Sequence, residues 1–146
     1  MASERVAFSH CGLCVADLER SIRFYCDGLG FEQAEGYDLD DGAVPGLADA
    51  LEVSSPVALR SQMITRESLK LELLAYETPA PTGVPSTSRG QLGLTHLTFI
   101  VDDIDLVAAR LVRHGGQVLD TTDVSVGVRL LFLADPDGTR IELIAM

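Results

Sequence analysis

Apolar and polar residues alternate along two widely separated stretches of the chain. In residues 69–75, LKLELLA, an extended backbone puts Leu69, Leu71 and Leu73 on one side and Lys70, Glu72 and Leu74 on the other. Residues 139–145, TRIELIA, repeat the arrangement: Lys70-Leu71-Glu72-Leu73 is answered by Arg140-Ile141-Glu142-Leu143. Helical spacing takes over elsewhere. Leu18, Ile22 and Tyr25 or Cys26 recur after Asp17, and Ile104, Val107, Ala108 and Leu111 recur after Asp103. Both aspartates stand where an N-cap accepts from orphan N–H groups. Gly28 with Gly30, and Gly115 with Gly116, follow as left-handed helix ends. Further strand-like runs cover 31–37 and 56–64 in the first half, and 117–122 and 126–134 in the second, with a turn at Pro136-Asp137-Gly138 before the last strand.

These elements repeat. SHCGLCVADLERSIRFYCDGLGF (9–31) aligns with THLTFIVDDIDLVAARLVRHGGQV (95–118), so that His10 meets His96, Val15 meets Val101, Asp17 meets Asp103 and Gly30 meets Gly116, each 86 positions apart. Each half reads strand, helix, three strands. Residues 77–91, rich in Pro, Ser, Thr and Gly, read as the linker between modules at about 6–76 and 92–146 of one domain, 1–146. Residues 38–54 interrupt the first half, and GLADALEV within them reads as a short helix, a lid or a pocket wall. A half-module of this kind cannot hide its own edge strands. Two together predict an α+β fold in which βαβββ modules form a curved, open, barrel-like mixed sheet of eight strands around a central cavity.

The repeat gives each module one histidine on its first strand and one glutamate on its last: His10 and Glu72, then His96 and Glu142. A strand glutamate by itself reads as a solvent-facing residue on a half-exposed sheet. Recurrence at equivalent places in both modules points instead to a concave interior, where a buried acid requires a partner. Two imidazoles and two carboxylates suit a divalent ion with positions left for water or substrate, and such N/O ligands accept zinc, nickel, cobalt, iron or manganese. His114, at the end of the second helix, reads as a partner of the helix dipole and takes no metal role.

Composition narrows the function classes. The 146 residues suffice for one compact domain, and 47% hydrophobic content fills a core. Twenty-two acids against 11 bases give a net charge of −11, which argues against nucleic acid and anionic membranes but leaves room for a local arginine pair around an anionic substrate. No membrane-length apolar run and no secretory pattern is present, so a cytoplasmic location is expected. CGLC at 11–14 has the spacing of a zinc or redox motif. It lies in a strand, where residues three apart face opposite ways, and no second cysteine pair completes it; with Cys26, these cysteines read as small core residues.

HCGLCVADLERSIRFYCDGLGF, LKLELLAY, THLTFIVDDID and FLADPDGTRIELI together resemble the vicinal oxygen chelate superfamily of glyoxalase, bleomycin-resistance and extradiol dioxygenase proteins across nearly the whole chain. The resemblance implies paired βαβββ modules around a metal held by the first and last strands, here His10, Glu72, His96 and Glu142. The complete ligand set looks most like glyoxalase I. It implies a metal-dependent lyase or isomerase acting on a small oxygenated substrate through a metal-stabilised enediolate, with Glu142 as base and Glu72 as ligand and second base, in a homodimer. The glutathione-binding arginines of glyoxalase I have no clear match. The alternatives are a protein sequestering a natural product or drug, and an iron-dependent extradiol-type dioxygenase.

Overall fold

A computed structural model describes residues 4–146. Strands β1 (Cys11–Cys14), β2 (Glu32–Asp40), β3 (Ala58–Arg66) and β4 (Leu69–Thr78) form one mixed sheet in the order β1-β4-β3-β2, with β1 parallel to β4. The second half builds β5 (Leu97–Ile100), β6 (Gln117–Val118), β7 (Val124–Ser125), β8 (Arg129–Ala134) and β9 (Arg140–Ala145). Its order is β5-β9-β8-β6, β7 pairs with β8, and β5 runs parallel to β9. The architecture is α+β, as expected. The single eight-stranded sheet is not formed within one chain: the strands divide into sheets of four and five that neither merge nor close.

Helix α1 (Leu18–Ile22) continues into a π-helical segment, Arg23–Gly28, and α3 (Ile104–Arg113) is its counterpart. Asp17 and Asp103 cap them as the sequence predicts, each accepting at 2.9 Å from the main-chain N–H three residues on. The glycines divide their roles. Gly30 and Gly115 adopt φ of +78° and +91°, the left-handed ends expected. Gly28 and Gly116 serve close packing instead: a Cβ would stand 2.8 Å from Leu111 at Gly28, and 2.9 Å from Phe24 at Gly116. The predicted strand 117–122 stops at Val118, where Asp120–Thr122 form a 3-10 turn, and the run 126–134 pairs regularly only from Arg129.

One core serves both halves. Phe24, Tyr25, Ile64, Leu71 and Leu73 of the first module are buried with Ile104, Leu111, Leu133, Ile141 and Leu143 of the second. The DPDG turn ties the halves together by polar contacts as well. Asp135 accepts from the Tyr25 hydroxyl at 2.8 Å and from the N–H groups of Asp137 and Thr139 at 2.9 and 2.7 Å. Asp137 accepts from Arg20 and from the Ala16 N–H. Arg110 donates to the Gly28 carbonyl at 2.7 Å.

Burial outweighs the three donors and holds the Asp135 carboxyl above its ordinary range. The folded chain therefore keeps this proton more tightly than the unfolded chain does. Stability is expected to fall as pH rises from the ordinary carboxyl value through the raised folded-state value, and Asp135→Asn to flatten that slope in urea titrations run across acidic pH. Tyr25→Phe, which removes one buried donor, is expected to cost about 1–3 kcal/mol in the same measurement.

Candidate metal centre

Strand alternation directs the four expected ligands. Leu71 and Leu73 of β4 point into the core, as do Ile141 and Leu143 of β9, so Glu72 and Glu142 leave by the opposite face of their sheets. The neighbouring first strands obey the same parity. Cys11 and Leu13 of β1 pack toward the core, as do Leu97 and Phe99 of β5, while Gly12 lies opposite Glu72 and Thr98 opposite Glu142. His10 and His96, two residues earlier in each case, fall on the glutamate face.

The result is two matching pairs. His10 Nε2 stands 3.1 Å from Glu72 Oε2, and His96 Nε2 stands 3.3 Å from Glu142 Oε2. The glutamates are not in bulk solvent: their side chains are 20% and 13% exposed. A hydroxyl meets each one. Ser61, buried on β3, donates to Glu72 Oε1 at 2.6 Å, and Thr98 donates to Glu142 Oε2 at 2.7 Å. Gly12 occupies the position equivalent to Thr98 and has no side chain to offer, so the first module draws its donor from β3. The other ring nitrogen of each histidine is engaged too: Nδ1 of His10 is bonded to Ser9 Oγ at 2.9 Å, and Nδ1 of His96 to Thr95 Oγ1 at 2.7 Å.

The expected ligands thus come together two by two. Among the described residues, no three His, Cys, Asp or Glu side chains gather closely enough to hold an ion. One chain carries two half-sites of two donors each. Sequence reasoning missed the hydroxyls, although Ser9 and Thr95 precede the paired histidines at the same offset of 86 and were legible as part of the repeat. It also missed Phe132, which faces Glu142 across β8 and β9, meets the His96 ring edge-to-face at 5.2 Å and carries the Arg140 guanidinium 4.0 Å above its own ring. Of the two basic residues that echo each other in the sequence, Lys70 pairs with Glu35 at 3.5 Å, whereas Arg140 takes the aromatic face.

The interrupting segment forms the short helix expected within it. Helix α2 (Leu47–Leu51) buries Leu47 and Ala48 with Val57 and Leu59, against Leu74 and Tyr76 on the Glu72 face of the first sheet. The cysteines match expectation in part. Cys11 and Cys26 pack against the core, but Cys14 is exposed on the opposite face of β1, because three residues along a strand reverse the side chain's direction. All three are free thiols.

Residues 7–143 match the Glyoxalase/Bleomycin resistance protein/Dioxygenase superfamily. The chain belongs to that superfamily. A catechol-2,3-dioxygenase of Bacillus subtilis (strain 168) is 28% identical over 136 residues, 91% of this chain, but this chain spans only 39% of that relative. A 2-epi-5-epi-valiolone epimerase of Actinomyces sp is 31% identical over 148 residues, covering 95% of this chain and 79% of the relative. Among solved structures, a glyoxalase family protein from Bacillus cereus superposes with a TM-score of 0.81 at 21% identity, over 99% of this chain and 97% of that one, which shows the shared fold.

Partial desolvation by the atoms packed around its sulfur, and after it the negative charge of Asp137, raises the thiol of the otherwise accessible Cys14, and burial raises that of Cys26. Thiol titration without reductant is expected to find three free thiols in the unfolded chain. In the native protein at neutral pH, Cys14 is expected to alkylate more slowly than free cysteine.

Proposed function

We propose that this member of the superfamily is a glyoxalase-like metal-dependent lyase or isomerase acting on a small oxygenated substrate. The observation that carries the reading is the doubled His–Glu pair on one face of each sheet. Donors sharing an ion at about 2.1 Å lie roughly 3.0–3.4 Å from one another, and the two Nε2–Oε2 separations fall in that interval. The Nδ1–hydroxyl bonds fix both ring orientations, as metal-ligating histidines require. The donor set therefore fits a divalent ion held by His10, Glu72, His96 and Glu142.

The two pairs are united if a second copy brings its His96–Glu142 half to the His10–Glu72 half of the first. Strands β1 and β5 are edges of their sheets. The residues leading into them expose apolar side chains at equivalent places: Val6 and Phe8 are 91% and 76% exposed, Leu92 and Leu94 98% and 89%. Unpaired strand edges with apolar flanks favour a symmetric partner, so the active species in this reading is a homodimer.

A divalent ion in this place supplies Lewis acidity to the substrate's adjacent oxygens. The chain supplies proton movement. Glu142 takes the proton beside the substrate carbonyl, with Thr98 holding its carboxylate in place, and Glu72, steadied by Ser61, returns a proton from the other side. Replacement of the proton at one carbon, with or without its movement to the neighbour, is also what an epimerase requires, and the Actinomyces relative bears that name. The catechol dioxygenase relative supports a second reading, iron-dependent ring opening, in which one glutamate is surplus to a two-histidine, one-carboxylate site.

Elemental analysis of purified protein is expected to find about one divalent ion per chain. A panel of 2-oxo aldehydes, 2-hydroxy acids and 2-oxo acids in D2O is expected to include a compound whose α-proton exchanges, followed by 1H NMR. Glu142→Gln should slow that exchange by roughly 10²–10⁴-fold while the protein stays folded. Absence of exchange, joined to oxygen uptake with catechol and ferrous iron, would replace this reading with the second.

Two metal-deficient variants test the shared site. His10→Ala and His96→Ala should each load little metal alone. Mixed, unfolded and refolded together, they should recover about a quarter of the wild-type metal content, because each heterodimer regains one intact site. No recovery on mixing would place each site within one chain. Ser9→Ala or Thr95→Val should weaken metal affinity by roughly 10–100-fold in chelator competition.

A further inference from the structure

A cavity of about 410 Å³ opens between the two modules, bounded by β1 on one side, the start of β9 on the other and residues 85–94, which run from the linker into the second module. His96 lines it, so it adjoins the second half-site. Most of its wall is apolar, including Leu13 and Leu97, but Arg89 and Arg140 also line it. No Asp or Glu does, in a chain with twice as many acids as bases.

Arg140 is held there without a charge partner. It makes no ion pair with any described carboxylate; its guanidinium lies over Phe132, and its buried Nε–H has no hydrogen-bond acceptor. Arg89 spends one N–H on the Ser86 carbonyl at 3.3 Å and keeps its remaining donors. Several other arginines meet a carboxylate: Arg20 pairs with Asp137, Arg60 with Glu19, and Arg129 with Asp105 and Asp123. Arg140 differs from these in lying over an aromatic ring with a buried Nε–H left unpaired and no carboxylate in contact.

We propose that Arg89 and Arg140 form an oxyanion-binding subsite, so that the substrate carries a carboxylate or phosphate group on a short apolar arm. The subsite rests on the reading of His96 and Glu142 as the adjoining reactive half-site. Arg140 precedes Glu142 by two residues on β9 and so shares its sheet face. An oxyanion on the guanidinium edge would satisfy the orphan Nε–H by a paired, charge-assisted contact. It would also fix the distance from the anionic group to the carbon that Glu142 addresses.

The test uses metal-stripped full-length protein, with 2-oxobutanoate and inorganic phosphate as probes against sodium chloride of equal ionic strength. Millimolar amounts of at least one probe should raise the Tm and move the Arg140 Nε–H resonance in 15N-resolved NMR. The better probe tells a carboxylate from a phosphate substrate. Arg140→Met and Arg89→Gln should each reduce probe affinity by at least 10-fold, while Arg113→Gln, which does not line the cavity, leaves it unchanged. The NMR readout decides the matter even if Arg140→Met fails to fold. An unmoved resonance with either probe would overturn the subsite, as would a response that appears only after metal is restored. If the probes bind as described and the protein takes up no metal, the subsite stands and the proposed reaction falls.

Discussion

Leu71 and Leu73 of β4, with Ile141 and Leu143 of β9, are driven from water into a core that both modules share. Everything at the candidate site follows from that burial. A strand cannot turn two neighbouring side chains the same way, so sinking these four residues turns Glu72 and Glu142 onto the opposite faces of their sheets. Parallel pairing of β1 with β4, and of β5 with β9, then carries a histidine to each glutamate. The acids escape the full cost of desolvation because an imidazole and a hydroxyl meet each of them.

The same core keeps the halves of one chain in a fixed relation. Tyr25 to Asp135, Arg20 to Asp137 and Arg110 to Gly28 are all contacts between modules, placed around α1 and α3. These helices hold the modules together by their apolar sides, on the face of each sheet opposite the glutamates, while α2 packs on part of the Glu72 face. The residues before β1 and β5 leave apolar side chains exposed. The matched donor pairs lie outside this shared core, one on each sheet.

Charge is distributed unevenly. An acidic exterior repels polyanions, yet the cavity beside His96 holds two arginines and no acid. Net charge governs which large partners approach, whereas the local field of a few desolvated groups governs which small molecule stays. The short helix α2 packs on the first sheet, and residues 85–94 bound the cavity beside His96.

The sequence by itself determined the repeat, the α+β class, both N-caps and the identity of the paired His and Glu residues, since each rests on local periodicity or on an offset preserved between modules. It also made Ser9 and Thr95 legible. It could not separate Gly28 and Gly116, which are packed against Leu111 and Phe24, from Gly30 and Gly115, whose backbones need the left-handed region, because the distinction lies in what stands nearby. Nor could it reveal that DPDG is a clasp between modules as well as a turn, or that Arg140 lies over Phe132 while its sequence counterpart Lys70 pairs with Glu35. Only the tertiary structure decided that the four donors meet as two pairs and not as one group of four. Short-range patterns fix which face a side chain takes, but the meeting of faces depends on how whole sheets pack, and that is set by a core drawn from both ends of the chain.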